Sequence, residues 1–127
     1  MTFVDTNVFM YAVGGEHPLR AEAREFFVDA LERGTALATS AEVLQELLHA
    51  YLPVGRVATL DAALALVHGC IGEVWSIDAE DIGIARALVE NHPGLGARDL
   101  LHLACCQRRD IHRAKTFDRA LAAAIRG

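Results

Sequence analysis

Short apolar runs alternate with longer amphipathic stretches along the chain. The short runs are rich in apolar and β-branched residues, which is typical of buried strands, and they lie at residues 3–4, 35–39, 74–77 and 111–116. The longer stretches repeat apolar residues at helical spacing and predict helices at residues 18 to about 32, 40–52, 57–70, 79–91, 97–109 and 118 to about 125. This alternation predicts an α/β fold with a mainly parallel central sheet of four to five short strands, flanked by helices.

Helix-start signals sharpen two of these boundaries. Pro18 follows a glycine-containing turn and suits the first position of a helix, where its missing N–H costs nothing. Thr39, with Glu42 three residues later, predicts a capping box for the next helix. In that helix Glu46 shares the polar stripe with Glu42 and His49, opposite the apolar stripe.

Composition bounds the size and setting of the protein. With 127 residues, 53% of them hydrophobic, the chain can bury one sizeable core, and we expect residues 1–127 to form a single domain. The N-terminus lacks the basic segment of a signal peptide, and no run reaches the roughly 18 uncharged residues of a membrane span. The three cysteines suit neither a disulfide framework nor a zinc site. We therefore expect a cytoplasmic protein with no membrane partner.

Charge is distributed unevenly along the chain. The net charge is -5, but residues 1–97 carry -9 and residues 98–127 carry +4. Such a basic portion can hold a phosphodiester chain beside an acidic pocket, although charge alone favours the simpler interpretation of a solvated helix face. Its basic side chains are Arg98, Arg108, Arg109, Arg113, Lys115, Arg119 and Arg126.

Three aspartates stand where strands end or a buried helix begins. Asp5 follows the first strand, Asp99 opens the apolar helix at 97–109, and Asp118 follows the last strand. Ligands of open α/β sheets bind beyond the carboxyl ends of the strands, where such residues can converge. Glu46 can join them from the polar stripe of its helix. Each aspartate taken singly is better explained as a helix N-cap, so only their shared location points to a site.

A cluster of carboxylates favours a divalent metal ion. Carboxylates that lie close together repel one another and raise their own pKa values unless a cation compensates them. Mg²⁺ or Mn²⁺ prefers oxygen ligands, keeps several waters and needs only one or two direct carboxylates. No zinc-protease, dinucleotide or Walker motif is present, so we expect no organic cofactor.

Four segments that contain these acids resemble the signatures of PIN-domain ribonucleases. They are VDTNV at 4–8, VLQEL at 43–47, ARDLLHLA at 97–104 and TFD at 116–118. Each segment is unspecific alone, but their order within one domain of this size is fairly specific. Chain length and motif order are similar in particular to the VapC toxins of VapBC toxin-antitoxin modules, and the resemblance covers essentially the whole chain.

The resemblance implies a PIN fold and a set of catalytic acids. Mg²⁺ or Mn²⁺ would be held most directly by Asp5 and Asp99, with Glu46 and Asp118 completing the pocket directly or through water. Glu42, one turn before Glu46 on the same stripe, is the alternative ligand. Glu46 is preferred because it precedes the Leu-Leu pair, as the family pattern expects.

The implied reaction is hydrolysis of RNA phosphodiester bonds. It needs a nucleophilic water, charge neutralisation and help for the departing oxygen, which metal ions supply. We expect Glu46 to orient or deprotonate the water, and Asn7 and Thr116 to fix the carboxylates by hydrogen bonds. We expect His102, one turn after Asp99, to be partly buried and hydrogen-bonded to the backbone; contact with substrate or a role as acid or base is the alternative. The candidates for positioning phosphate are Arg98, Arg113 and Arg119.

The same resemblance implies partners, and several alternatives stay open. As a toxin, the protein would be neutralised by a VapB-like antitoxin and would form a homodimer and toxin-antitoxin hetero-oligomers. A housekeeping RNA-processing PIN nuclease and a non-catalytic PIN-like binding module are the alternatives. A haloacid-dehalogenase-like phosphatase fits less well because Asn7 stands where that family needs a second Asp. A receiver domain also fits less well, since Asp61 and Asp78 are the only mid-chain acceptors and Lys115 the only lysine.

Overall fold

A four-stranded parallel sheet forms the centre of the molecule. The computed structural model describes residues 1–127. The strands are Thr2–Val4 (β1), Leu37–Ser40 (β2), Glu73–Trp75 (β3) and Ala114–Lys115 (β4). They are arranged in the order β3-β2-β1-β4, and every pair is parallel. The predicted α/β fold with a mainly parallel sheet is therefore confirmed.

Helices connect the strands and flank the sheet. The seven α-helices are Thr6–Val13 (α1), Arg20–Arg33 (α2), Ala41–Tyr51 (α3), Val57–Cys70 (α4), Ala79–Leu88 (α5), Ala97–Arg108 (α6) and Arg119–Arg126 (α7), and a 3-10 turn spans Leu52–Val54. Gly34 and Gly55 end α2 and the 3-10 turn with φ of 66° and 71°, the left-handed conformation that glycine adopts without strain. No helix is both long and apolar enough to cross a bilayer.

The core lies between β1 and the surrounding helices. Phe3 of β1 is fully buried, and its ring stacks on Trp75 with centroids 5.8 Å apart. On another side Phe9 of α1 packs against Phe27 of α2 at 5.3 Å. Each such side chain contributes roughly 1.5–3 kcal/mol through its burial. This packing holds the C-terminal end of β1 in place.

The strand order creates a crevice at the C-terminal end of β1. From β1 the chain moves to β2 and β3 on one side, and then returns to place β4 on the other side of β1. Phe3 lies opposite Ala38 of β2 and opposite Ala114 of β4. Such a change of direction is where open α/β sheets bind their ligands, beyond the strand ends. Residues that follow β1 and β4 therefore meet in this crevice.

Several predicted boundaries are corrected by the structure. Helix α1 was not predicted. Helix α2 begins at Arg20, not at Pro18, and the predicted last strand is reduced to Ala114–Lys115. The cap of α3 is Ser40, which accepts a hydrogen bond from Val43 N at 3.3 Å. Thr39 is not the cap, because its hydroxyl donates to the Val4 carbonyl at 2.8 Å across the sheet.

Candidate active site

Asp5 lies at the floor of the crevice and is 5% exposed. It is the N-cap of α1, and its Oδ1 accepts a hydrogen bond from Thr6 N at 2.8 Å. Its other oxygen, Oδ2, accepts from the Thr116 hydroxyl at 2.6 Å. The carboxylate is thus held by one bond within its own turn and by one from the segment after β4.

Thr116 and Asn7 form a polar bridge between the ends of β1 and β4. The Asn7 amide Nδ2 donates to the Thr116 hydroxyl at 3.4 Å, and Asn7 Oδ1 accepts from Phe117 N at 3.3 Å. The Thr116 hydroxyl also accepts from Asp118 N at 3.0 Å. These bonds fix the rotamer of Asp5 and the backbone that leads to Asp118.

Asp99 and Asp118 complete one wall of the crevice. Asp118 caps α7 and accepts from Leu121 N at 3.1 Å, whereas Asp99 is the third residue of α6 and caps nothing, because Gly96 holds that position. Burial, and then the charges of Asp118 and Asp5, raise the pKa of Asp99 to about 6. Three carboxylates therefore lie close enough to repel one another.

Glu46 and His102 close the opposite wall. His102 Nε2 lies 2.5 Å from Glu46 Oε1 and 3.6 Å from Asp5 Oδ1, and the His102 side chain is 1% exposed. The prediction that His102 is partly buried and bonded to the backbone is wrong. The imidazole lies 5.5 Å from the Phe3 ring of β1 and faces the carboxylates. The apolar character of α6 concealed this arrangement.

His102 is the basic side chain that contacts the carboxylates. Burial lowers its pKa, but Glu46, Asp5 and Asp99 together outweigh burial and raise it. The contact with Glu46 lacks hydrogen-bond alignment, so both ring nitrogens and Glu46 Oε1 are buried without a hydrogen bond. A single imidazole therefore faces several carboxylates, and their hydrogen-bonding capacity is not filled by the protein.

Glu42 and Glu46 have different surroundings. Glu46 contacts His102, while Glu42 lines a separate concavity with Ile82, Arg98 and other residues of α5 and α6. The structure thus brings Glu46, and not Glu42, towards Asp5.

The arginines divide into two groups. Arg98, Arg113 and Arg119 are exposed, and Arg119 directly follows Asp118. Arg126 is exposed as well, whereas Arg108 and Arg109 bind Asp81 at 2.7 and 3.2 Å. Lys115 binds Glu22 at 2.7 Å. The basic C-terminal portion is therefore smaller than its sequence indicates, because three of its seven cations are paired.

The donor set fits a hard divalent cation that keeps water ligands. No three His, Cys, Asp or Glu side chains are arranged to hold a metal ion by themselves. Mg²⁺, however, is usually bound by one or two carboxylates plus waters. The raised pKa of Asp99 indicates missing positive charge beside Asp5 and Asp118. The residues therefore fit such an ion with few direct ligands.

Comparison with known proteins defines the class to which this fold and site belong. The PIN domain family model matches residues 2–126. The chain therefore belongs to the PIN-domain family, which excludes the phosphatase and receiver alternatives. It is 63% identical over 126 residues to Ribonuclease VapC23 of Mycobacterium tuberculosis, covering 99% of each chain. It is 39% identical over 119 residues to Ribonuclease VapC13 of the same species, covering 94% of this chain and 91% of VapC13.

Solved structures show the same fold. The crystal structure of M. tuberculosis VapC20, described as a sarcin-ricin loop cleaving toxin, superposes with a TM-score of 0.82 at 20% identity, over 98% of this chain and 95% of VapC20. VapBC2 from Rickettsia felis, bound to a DNA fragment from its promoter, matches with a TM-score of 0.63 at 18% identity, over 87% of this chain and 82% of that one. The predicted PIN-like fold is confirmed.

Proposed function

We propose that this protein is a metal-dependent endoribonuclease that acts as the toxin of a type II toxin-antitoxin pair. Its family membership and its 63% identity to a VapC ribonuclease support RNA hydrolysis. The observation that carries the proposal is the group of four acids around the C-terminal end of β1, with a single imidazole between them. A divalent metal ion would supply the positive charge that this group lacks, and phosphate oxygens of the substrate would complete its ligands.

Asp5 and Asp99 are proposed to hold Mg²⁺ or Mn²⁺, and Glu46 and Asp118 to act directly or through water. A divalent cation bound there would acidify a water and neutralise charge on the phosphate. Asp5 is preferred because Thr116 and Thr6 already fix both of its oxygens. Asp99 is preferred because its raised pKa falls once a cation replaces its proton.

The other side chains are proposed to move a proton and orient the substrate. Glu46 accepts the proton of the attacking water, and the His102 imidazole against its Oε1 orients the carboxylate. Asn7 and Thr116 hold Asp5 in place. Three exposed arginines are available to bind the phosphates of RNA, namely Arg98, Arg113 and Arg119.

We also propose that a VapB-like antitoxin covers this crevice and that the protein forms a homodimer. The 63% identity to a VapC ribonuclease, together with the fold shared with VapBC2, supports the antitoxin. Exposed Ile82 and Val89, beside the concavity between α5 and α6, support an apolar dimer face. Residues 1–127 are proposed to form one PIN domain, since one core cluster connects the helices to the sheet. The cytoplasmic setting stays a prediction.

The test is cleavage of defined tRNA and rRNA fragments with Mg²⁺, with Mn²⁺ or with a chelator. We expect cleavage only with metal, and we expect Asp5→Asn and Asp99→Asn to reduce kcat/KM by more than about a hundredfold, since even indirect metal partners are worth about 10–100-fold. Glu46→Gln should be similarly impaired. Its matched control, Glu42→Gln on the same helix, should retain activity. Metal-independent cleavage, or wild-type rates for Asp5→Asn, would contradict the proposal.

Growth of the host separates a toxin from a processing enzyme or a binding module. Induction of the wild-type chain should arrest growth, and co-expression of its antitoxin should relieve the arrest. Induction of Asp5→Asn should not arrest growth. Equal arrest by the wild type and by Asp5→Asn would favour a binding module.

A further inference from the structure

Another concavity, distinct from the one that Glu42 lines, lies next to the carboxylate crevice and differs from the crevice in charge. It encloses about 250 Å³ between α1, the end of α3 and the start of α4. Tyr11, Tyr51, Arg56 and Thr59 are among its lining residues, together with Asn7. This volume is below the roughly 300–1,000 Å³ of sites that take drug-sized ligands, so the concavity suits one small planar group.

Asn7 connects this concavity to the crevice. Its side chain lines the concavity and is also bonded to Thr116, whose hydroxyl holds Asp5. Tyr11 follows Asn7 by four residues on α1 and therefore lies one helical turn further along the same face. A substrate that occupies the crevice thus has the concavity as its neighbouring position.

Aromatic packing makes the wall between the two sites rigid. The Tyr11 ring stacks on His17 with centroids 4.4 Å apart and meets the edge of Phe117 at 5.4 Å. Phe117 is itself tied to Asn7 through its backbone N–H. The wall is therefore built from α1 and from the segment after β4, which also contains Thr116 and Asp118 of the crevice.

The charge of the concavity is opposite to that of the crevice. Arg56 is its one charged lining residue, and the guanidinium lies over the Tyr51 ring, 6.0 Å from the centroid. Burial raises the pKa of Tyr51 while the charge of Arg56 opposes that rise, which places the guanidinium near the phenol. Arg56 itself is exposed and forms no ion pair within the molecule. It is therefore free to contact a ligand.

We propose that this concavity binds one unpaired base of the RNA, next to the bond that is cleaved. The inference rests on the proposed ribonuclease function and adds a specificity site to it. Proteins that read single-stranded RNA take splayed bases against aromatic rings or guanidinium planes and hydrogen-bond their edges. Here the Arg56 guanidinium would stack on the base, and the hydroxyls of Tyr51 and Thr59, which line the concavity, are available to hydrogen-bond its edge.

The test measures KM, kcat and base preference on short single-stranded oligoribonucleotides in which each position around the cleaved bond is varied. We expect Arg56→Gln to raise KM about tenfold with little change in kcat, since a stacked base is worth about 1–3 kcal/mol and 1.4 kcal/mol is tenfold. It should also flatten the base preference at one position. Tyr51→Phe keeps the ring and should weaken only the preference.

The matched control is Arg33→Gln, which removes the same charge from an exposed arginine at the end of α2. Its KM should equal that of the wild type. If Arg56→Gln keeps the wild-type KM and base preference, or if Arg33→Gln is equally impaired, the proposal is overturned. The proposal is also overturned if Arg56→Gln weakens binding of the antitoxin but not of RNA. The concavity would then bind a side chain of the antitoxin and not a base.

Binding of fluorescein-labelled oligonucleotides, followed by anisotropy without cleavage, separates this proposal from the proposed function. If the wild type binds single-stranded RNA, loses this binding in Arg56→Gln and does not cleave the RNA, the ribonuclease function is contradicted and the base site is supported. If the wild type cleaves RNA and Arg56→Gln binds RNA with the same affinity, only the base site is contradicted.

Discussion

Two carboxylate clusters in this molecule are neutralised to very different extents. Asp81 of α5 is fully buried, and Arg108 binds it through Nε at 2.7 Å and Nη2 at 3.0 Å, with Arg109 Nη1 at 3.2 Å. In the carboxylate crevice Asp5, Asp99 and their neighbours have one imidazole between them. The first cluster is complete within the protein, and the second is not.

The pKa values follow this difference. Burial raises the pKa of Asp81, but its hydrogen bonds from Arg108, from Asp78 N and from Arg109 outweigh burial and hold the pKa below its usual value. Burial and neighbouring charges raise the pKa of Asp99 to about 6. A compensated buried carboxylate joins α5 to α6, whereas an uncompensated group is typical of a functional site.

The largest expected effect is on stability, at the compensated cluster. Asp81→Ala should lower the free energy of unfolding by about 3 kcal/mol, because two partly buried arginines lose their partner. Urea denaturation measures this change. The control is Glu80→Ala, since Glu80 is exposed and 3.6 Å from Arg108, and it should cost less than about 1 kcal/mol. Equal losses for both variants would contradict the assigned role of Asp81.

The second effect is stabilisation by metal, and it should depend on pH. The folded-state pKa of Asp99 lies above its ordinary value of 3.8, so its contribution to stability is complete below that value and is lost as the pH rises through about 6. A divalent cation competes with this proton. Mn²⁺ at about 100 times its Kd should therefore add about 2.7 kcal/mol near pH 7.5 and much less near pH 5.

Thermal unfolding with and without Mn²⁺ at the two pH values checks this dependence. Asp5→Asn serves as the control and should show little stabilisation at either pH. An equal gain at both pH values would mean that Asp99 does not bind the ion.

The third effect concerns the hydroxyl that holds Asp5. Thr116→Val removes the 2.6 Å bond to Asp5 Oδ2 and should weaken Mn²⁺ binding about tenfold, as loss of an outer partner of a metal ligand does. Titration calorimetry measures the affinity. Thr116→Ser retains the hydroxyl and should bind nearly as well as the wild type. Wild-type affinity in Thr116→Val would show that Asp5 needs no such support.

The smallest expected effect is that of neutralising Asp99 on the free energy of unfolding. The same change at Asp81 should have the opposite sign. Without metal near pH 7.5, Asp99→Asn should raise the free energy of unfolding by about 1 kcal/mol, because it removes a repelled charge and the partial exposure of the site reduces the full effect. Asp81→Asn should lower it. Denaturant midpoints of the two variants give the signs directly. Destabilisation by Asp99→Asn would mean that the crevice carboxylates are compensated after all.

The elements that sequence predicted best are those with local signals. Helix α4 has the predicted bounds, 57–70, because Gly55 precedes it and its apolar periodicity is uninterrupted. Helix α1 was missed because it is short and has little helix propensity, with β-branched and aromatic residues that favour a helix only once they are packed. Thr39 and Ser40 are both good caps, and only sheet pairing with Val4 decided between them.

By itself, the sequence determined that acids stand directly after apolar strand ends, and in which order, since strand ends and helix starts are local features. The tertiary structure alone decided which acids share a crevice and which cations are free. Thr116 and Asp5 are 111 residues apart, and Arg108 and Asp81 are 27 apart. Such contacts depend on strand order and helix packing. The charge distribution along the chain therefore predicted a larger basic surface than the structure has. The apolar neighbours of His102 along the chain gave no indication that it lies beside Glu46.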